Sequence, residues 1–324
     1  MRIQILTLPF IAILFVTGCT TRQTAKNNHW PNRVFAPYMY AGFNDHFKLT
    51  DCDDQCGQKF YTLAFIIANK TNNPAWFGKK NMQQNFYDEQ IEKIRERGGD
   101  VIISFGGADG KEIAVVETNA QALEAKYQSV IDHYHFTWLD FDIEGKNLEN
   151  PAANERRNLA LANLQRKNPG LMISYTLPVD PNGISTDSQK LLADAKAKGL
   201  KVHSVNIMTM DFGEHFSKGK KMSDVAIASA LKAYEQCQVI DPNIQIGLTP
   251  DIGQNDIKSE IFTLEDAKTL IDWAKSQPWV CSVSFWCSNR DNSKPGGNAG
   301  SNRSGVKQEP WAYTKIFQTF ADQH

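Results

Sequence analysis

LDFDIEG, residues 139–145, alternates large apolar residues with acids and stops at a glycine. Alternation with a period of two is typical of a β-strand, so Asp140, Asp142 and Glu144 are predicted to share one face. Acids spaced in this way lie about 6–7 Å apart along a strand, which disfavours ionisation of all three. We therefore expect at least one of them to keep its proton near neutral pH, as a general acid must. A solvated acidic edge strand and a divalent-cation site are the alternatives.

The sequence around this stretch repeats short apolar runs and longer amphipathic ones. Eight strands are predicted, at 34–40, 60–68, 101–105, 138–143, 171–177, 202–210, 244–249 and 281–287. Helices are predicted at 86–97, 120–134, 155–167, 188–198, 223–236, 264–276 and 311–322. Strand–helix units of this kind indicate parallel pairing, and eight of them predict one α/β domain, a (β/α)8 TIM barrel, at 34–324. No clear helix separates the first two strands. An open doubly wound sheet is the alternative, but its glycine-rich phosphate loop is missing.

The composition is that of an ordinary globular chain. Of 324 residues, 41% are hydrophobic and 22% are charged, and the formal net charge is −1. This balance gives no electrostatic case for a nucleic-acid partner.

Residues 1–18 are predicted to be a targeting segment. Arg2 precedes an apolar run at 3–16 that is too short for a comfortable membrane span. The sequence VTGC at 16–19 resembles the lipobox of bacterial lipoproteins, which implies that Cys19 is lipidated and that 19–33 form a tether. The resemblance implies a protein held at the cell envelope through its lipid alone, at the outer membrane in a Gram-negative source, with later release an open question. A plain secretory signal is the alternative.

Export to an oxidising compartment permits disulfides. Cys52 and Cys56, close together in a predicted loop, are the expected pair, and at least one of Cys237, Cys281 and Cys287 should be free. The sequence has no zinc-ligand spacing, and we expect no metal site.

Polar, glycine and aromatic residues end several of the predicted strands. The reactive groups of an α/β barrel collect at the carboxyl ends of its strands. SFGG at 104–107 ends the third strand and Glu144 the fourth; Asp211 follows the sixth, and Trp286 lies in the eighth. Together, in this order, they predict a functional site.

These motifs resemble those of glycoside hydrolase family 18, the chitinase family, over about residues 34–320. The third strand matches SxGG, and Asp140, Asp142 and Glu144 match the last three acids of DxxDxDxE. Gly106 and Gly107 are small residues at the end of a strand, and we expect them to leave room for a ligand. The match implies a substrate-assisted, retaining mechanism without a cofactor, in which Glu144 is the proton donor, Asp142 orients the substrate acetamido group, and Asp140 shares a proton with Asp142.

Two positions depart from the family pattern. Thr137 stands in place of the first aspartate of DxxDxDxE, and Met210 in place of the tyrosine of MxYD, whose ends Met208 and Asp211 match. In the family this tyrosine helps to hold the N-acetyl carbonyl. We therefore expect either that Asp211, Asn206 or Tyr175 compensates or that turnover is slow.

The eighth-strand tryptophan of the family, which floors the sugar site, corresponds to Trp286. Tyr38 and Phe65 are further candidates for the wall. The segment TPDIGQND at 249–256 resembles the seventh strand of one bacterial branch.

The resemblance implies endo-cleavage of β-1,4 bonds between N-acetylglucosamine units in chitin or chitooligosaccharides. An endo-β-N-acetylglucosaminidase acting on N-glycan cores is an alternative within the same class. An inactive glycan-binding lipoprotein is the alternative from another class, but it would not need Glu144. We expect a monomer.

Overall fold

A computed structural model describes residues 30–43, 47–294, 296 and 302–321. The predicted targeting segment, the lipidation at Cys19 and most of the predicted tether lie outside the described residues. Within the described residues, no helix combines the length and the apolar character needed to cross a membrane.

Eight parallel strands form the central sheet. The first, β1, is split into Val34–Phe35 and Tyr38–Tyr40; the others are β2 (Phe60–Ala68), β3 (Asp100–Gly106), β4 (Trp138–Asp142), β5 (Met172–Asp180), β6 (Ser204–Met208), β7 (Gln245–Thr249) and β8 (Val280–Val283). Neighbours pair in sequence order from β2 to β8. Val34–Phe35 pairs with β8 and Tyr38–Tyr40 pairs with β2, so β1 closes the ring. The predicted (β/α)8 barrel is confirmed.

In the described part of the chain, eight α-helices of six or more residues follow the strands. They are α1 (Leu49–Cys56), α2 (Asp88–Glu96), α3 (Ala120–Tyr134), α4 (Pro151–Lys167), α5 (Thr186–Ala197), α6 (Met222–Ile240), α7 (Leu264–Lys275) and α8 (Ala312–Phe317). Helix α1 occupies the gap in which the sequence showed no helix. It escaped detection because only Leu49 and Cys52 are buried, which leaves no apolar stripe for a periodicity search to find.

Short elements add to the rims. A hairpin of Pro74–Trp76 and Lys80–Asn81 extends β2, and Gly253–Gln254 pairs with Ile261–Phe262 after β7. One-turn helices lie at Ile113–Val116, Gly145–Leu148 and Glu214–Ser217.

Strand β4 has the alternation that its sequence predicts. Phe141 faces the helices, where its ring stacks on Phe105 at 5.0 Å and meets Tyr127 of α3 edge-on at 5.2 Å. Asp140 and Asp142 face the barrel interior. Thr137, just before β4, accepts a 2.9 Å hydrogen bond from the Trp30 indole, so a neutral side chain supports the strand start in this protein.

The predicted disulfide differs from the structure. Cys52 and Cys56 are free thiols with their sulfurs 3.1 Å apart, beyond the roughly 2.05 Å of a bonded pair. The segment is helix α1 rather than a loop, and the Cys56 thiol donates to the Cys52 carbonyl at 2.9 Å. Cys237, Cys281 and Cys287 also form no disulfide among the described residues.

Candidate active site

A cavity of about 610 Å³ lies at the carboxyl ends of the strands. Most of the predicted site residues line it: Asp142, Glu144, Met208, Met210, Asp211, Trp286, Tyr38 and Phe65. The structure thus brings residues from β1, β2, β4 and β6, and Trp286 from beyond the end of β8, to one place.

Asp140 lies beneath this cavity in a cage of hydroxyl groups. Tyr38 and Ser104 donate to its Oδ2 at 2.9 and 2.8 Å, and Ser174 donates to its Oδ1 at 2.7 Å. Thr176 donates to both oxygens, at 2.9 and 3.0 Å. Burial raises the pKa of Asp140, while these hydrogen bonds act to lower it. The donors occupy the carboxylate lone pairs, which leaves little capacity for a proton shared with Asp142.

Asp142 has the opposite environment. This residue is only 6% exposed, yet its Oδ1 has no hydrogen-bond partner among the residues that the structure describes. Burial first, and then the charges of Glu144 and Asp140, raise its pKa well above the usual range. A buried acceptor without a partner costs free energy, and because this one lines a cavity, a ligand with an N–H or O–H group could satisfy it.

Glu144 follows β4 and precedes the helix Gly145–Leu148. Burial, and then the nearby charges of Asp109 and Asp211, raise its pKa to about 7. It therefore carries a proton for a substantial part of the time at neutral pH. The expectation that at least one acid of the strand has a raised pKa is confirmed, because all three have one.

The region after β6 departs from the expected pattern. Met208 and Met210 line the cavity beside Asp211, whose backbone φ is +49°. Asp211 is exposed, but atoms packed around its carboxylate raise its pKa, and it accepts a 3.2 Å hydrogen bond from the Ile257 amide.

Only one of the three proposed substitutes for the missing tyrosine lines the cavity. Asp211 does, whereas Asn206 lies lower, donating to Thr176 at 3.0 Å and accepting from Thr249 at 2.8 Å. Tyr175 is excluded, because its hydroxyl donates to Asn158 of α4 on the outside of the barrel, at 2.5 Å.

Aromatic rings form one wall of the cavity. Trp286 and Phe65 stack with ring centres 5.7 Å apart and planes 11° apart. The ring centre of Tyr40 lies 5.5 Å from that of Trp286, and the ring centre of Tyr38 lies 6.0 Å from it. Flat apolar surfaces of this kind suit the apolar face of a sugar ring.

The comparison with protein families decides the identity of this fold and site. The family model described as glycosyl hydrolases family 18 matches residues 36–288. The chain belongs to glycosyl hydrolase family 18.

Named relatives carry the same family resemblance. The chain is 32% identical, over 95% of its length, to a "Probable bifunctional chitinase/lysozyme" of Escherichia coli (strain K12), and covers 36% of that protein. It is 32% identical, over 85% of its length, to "Endochitinase 11" of Metarhizium anisopliae, and covers 56% of that protein. The chain thus spans about a third and about half of the length of these two relatives.

A solved structure agrees over most of both chains. The catalytic domain of a hyperthermophilic chitinase from Pyrococcus furiosus is 34% identical, with a TM-score of 0.81, covering 90% of this chain and 95% of that one.

Two glycines of this family 18 chain have a different task from the one predicted. Gly106 and Gly107 were expected to leave room for a ligand. A Cβ on Gly106, at φ +99°, would lie 2.1 Å from the Asp142 carbonyl oxygen, and one on Gly107 would lie 2.7 Å from the Phe65 ring. They therefore make room for the protein itself, because their missing side chains let β3 lie close to β4 and to the aromatic wall.

Several lining residues of the family 18 site were missed in the sequence. They are Tyr40, Phe43, Ile67, Phe77, Ala108, Asp109, Gly110, Thr176, Thr249, Asp251 and Asp256. Most lie in loops after the strands, where no periodicity marks them. Thr176 lies on β5, where the period of two places it on the same face as Ser174.

Among the described residues, Asp251 is the one acid of the cavity lining that forms an ion pair with a cationic side chain. It is paired with the fully buried Arg290 at 2.9 Å. The same guanidinium binds the carbonyls of Ile252 and Gln254. The pair thus fixes the loop after β7.

Proposed function

We propose that this family 18 protein is a chitinase-type glycoside hydrolase, which cleaves β-1,4 bonds between N-acetylglucosamine units with retention of configuration. The observation that carries the proposal is the unpartnered, buried Oδ1 of Asp142 beside Glu144. A carboxylate oxygen there is suited to accept the N–H of a substrate acetamido group. The family relationship and the named chitinases support the same activity.

In the first step, the Glu144 carboxyl donates its proton to the glycosidic oxygen as the bond from that oxygen to the anomeric carbon breaks. The carbonyl oxygen of the 2-acetamido group on the same sugar forms a new bond to the anomeric carbon. The resulting oxazolinium ring carries positive charge and an N–H, both of which Asp142 stabilises. The leaving sugar departs with the proton from Glu144.

In the second step, the Glu144 carboxylate removes a proton from a water molecule. The water oxygen bonds to the anomeric carbon, and the oxazolinium carbon–oxygen bond breaks to restore the acetamide. Two inversions at one carbon give overall retention. Asp140, held by its four hydroxyl donors, lies below Asp142, and its ionised form adds negative charge that favours the positive intermediate.

We propose endo-cleavage. The chain between β7 and α7, residues 250–263, contains only the pair Gly253–Gln254 and Ile261–Phe262, with no further domain to wall one side of the cavity. A product series dominated by disaccharide from the first minutes would contradict this proposal.

The test compares the wild type with Glu144→Gln and Asp142→Asn on chitooligosaccharides, with Asp272→Asn on the exposed face of α7 as the matched control. We expect Glu144→Gln to lower kcat by about 10²–10⁴-fold, the usual contribution of a positioned acid. Asp142→Asn should also lower kcat, while the control matches the wild type. Equal activity of Glu144→Gln would remove Glu144 from its role.

A parallel incubation with a high-mannose glycoprotein separates the alternatives. Cleavage of the glycoprotein alone would move the function to N-glycan cores. Binding of chitooligosaccharides without cleavage of either substrate would indicate a binding protein.

We also propose that the chain is exported and lipid-anchored through Cys19, a proposal supported by the apolar run at 3–16 and the lipobox-like VTGC at 16–19. Expression of the full chain and of Cys19→Ser in a bacterial host tests this proposal. Membrane association should be lost in the variant, and equal partitioning of the two would refute the anchor.

A further inference from the structure

Acids line the candidate cavity on both sides of Glu144. Asp109 follows β3 and Asp256 follows β7, strands that lie opposite each other in the ring of eight. Both side chains are exposed and so accessible to a ligand. Among the described residues, the cavity lining contains no lysine, arginine or histidine, but six carboxylates: Asp109, Asp142, Glu144, Asp211, Asp251 and Asp256.

The cationic groups that contact lining residues do not cancel this charge. Arg290 is already paired with Asp251 at 2.9 Å. Lys79 lies 6.0 Å from the centre of the Phe77 ring, at one end of the cavity. Asp109 and Asp256 make no ion pair among the described residues, so their charges act on whatever enters the cleft.

The middle of the cavity has a separate requirement. Asp142 Oδ1, buried and unpartnered, is suited to the N–H of an acetamido group, and the proposed mechanism uses the carbonyl of that same group. The sugar whose bond is cleaved must therefore be acetylated. The sugars on either side face no such requirement, and their 2-amino groups can be free.

We propose that the cleft selects partly N-deacetylated chitin, with an N-acetylglucosamine unit at the cleaved bond and glucosamine units, as ammonium ions, facing Asp109 and Asp256. This inference rests on the proposed function. Opposite charges near a protein surface attract, and like charges repel by a similar amount. The same acids disfavour glycans that carry carboxylates, such as peptidoglycan.

The experiment digests chitosan of about half acetylation with wild type, Asp109→Asn, Asp256→Asn and the control Asp272→Asn. The units next to each new chain end are identified by mass spectrometry after isotopic labelling of the ends. Wild type should enrich glucosamine on both flanks of the cleaved acetylated unit. Each cleft variant should lower the enrichment on one flank by about two- to five-fold, as loss of an exposed ion pair predicts, whereas Asp272→Asn should not.

The charge of Asp109 also raises the pKa of Glu144. The absolute rate of Asp109→Asn therefore reflects both the altered binding of glucosamine and the altered protonation of Glu144. Comparing flanks within one digest removes the common factor, because every cleavage uses the same Glu144. Raising the salt concentration should reduce the enrichment in the wild type, since ions screen exposed charges.

Random flanks in the wild type, or unchanged enrichment in both cleft variants, would overturn the inference while leaving the chitinase proposal intact. Efficient digestion of peptidoglycan would also contradict it. Failure to cleave fully acetylated oligomers would instead refute the proposed function. In that case, calorimetric titration of Glu144→Gln with acetylated and half-deacetylated hexamers decides the charge preference, and equal affinity would overturn it.

Discussion

Neutralising Asp109 should move the alkaline limb of the pH profile to lower pH. Glu144 must be protonated for the first step, and three causes raise its pKa to about 7: burial, then Asp109, then Asp211. Removing the negative charge of Asp109 makes the ionised form of Glu144 less unfavourable. Its pKa therefore falls, and the acid loses its proton at a lower pH.

The structure bounds the size of this effect. With a pKa of about 7, about half of the Glu144 carboxyls carry a proton at pH 7, whereas with the ordinary value of 4.5 about 0.3% would do so. The loss of activity at pH 7 in Asp109→Asn therefore cannot exceed roughly 150-fold by this route. Burial, the largest cause, remains in the variant, so the midpoint of the limb should lie between 4.5 and 7.

The assay measures kcat/KM for a fully acetylated oligosaccharide from pH 4 to pH 9, with products quantified chromatographically, because kcat/KM reports the groups of the free enzyme. Asp142 and Glu144 interact, so the midpoint belongs to the pair. The control Asp272→Asn should superimpose on the wild type. An unmoved limb, or one at higher pH, would refute the reasoning.

Three further predictions concern the support of the site. Arg157→Met removes the partner of Glu112 in a fully buried ion pair of 2.9 Å, so the free energy of unfolding in urea should fall by about 3–5 kcal/mol. Adding Glu112→Gln to this variant should restore part of that free energy. An unchanged free energy of unfolding in Arg157→Met would contradict a stabilising role for the pair. Residue 106 has a backbone φ of +99°, and a Cβ there would lie 2.1 Å from the Asp142 carbonyl oxygen. Gly106→Ala should therefore lower both the free energy of unfolding and kcat. Wild-type kinetics would show that β3 and β4 move apart without harm to the site. Asp142→Asn should change stability in a pH-dependent way. Burial raises the pKa of Asp142, so its contribution to wild-type stability is fully present below the ordinary aspartate pKa and is lost as pH rises toward the folded pKa. The free energy of unfolding of the variant, relative to wild type, should therefore be higher at pH 8 than at pH 5, and a flat difference would refute this.

The sequence predicts strand β4 and the face that its acids share, because the signal of an alternating strand is local. A period of two places Asp140 and Asp142 on one face whatever their neighbours are, and the structure has that arrangement. In the structure Ser174 and Thr176, on either side of Tyr175, both donate to the buried Asp140, so the same period of two turns Tyr175 to the outside of the barrel.

The hydroxyl cage could not be predicted, because it depends on register between strands distant in sequence. Ser104 and Ser174 become neighbours of Asp140 only through the pairing of β3, β4 and β5. Asp109 and Phe77 lie in loops, whose conformation periodicity does not determine. Gly106 is a third case, because its need for a missing Cβ arises from the carbonyl of Asp142 on another strand.

Buried carboxyl groups of this protein differ in the partners that surround them, and the partners distinguish structural acids from chemical ones. Asp251 forms an ion pair with a buried guanidinium and Asp140 is held by four hydroxyl groups, so groups of the protein stabilise both carboxylates. Asp142 is similarly buried, but among the described residues its Oδ1 has neither a hydrogen-bond donor nor a cationic partner. An unsatisfied buried acceptor costs free energy, which makes its persistence hard to explain by folding alone and easy to explain by a ligand that supplies the missing N–H. Burial without a partner is therefore the stronger indicator of chemistry here, because a raised pKa is common to all three acids.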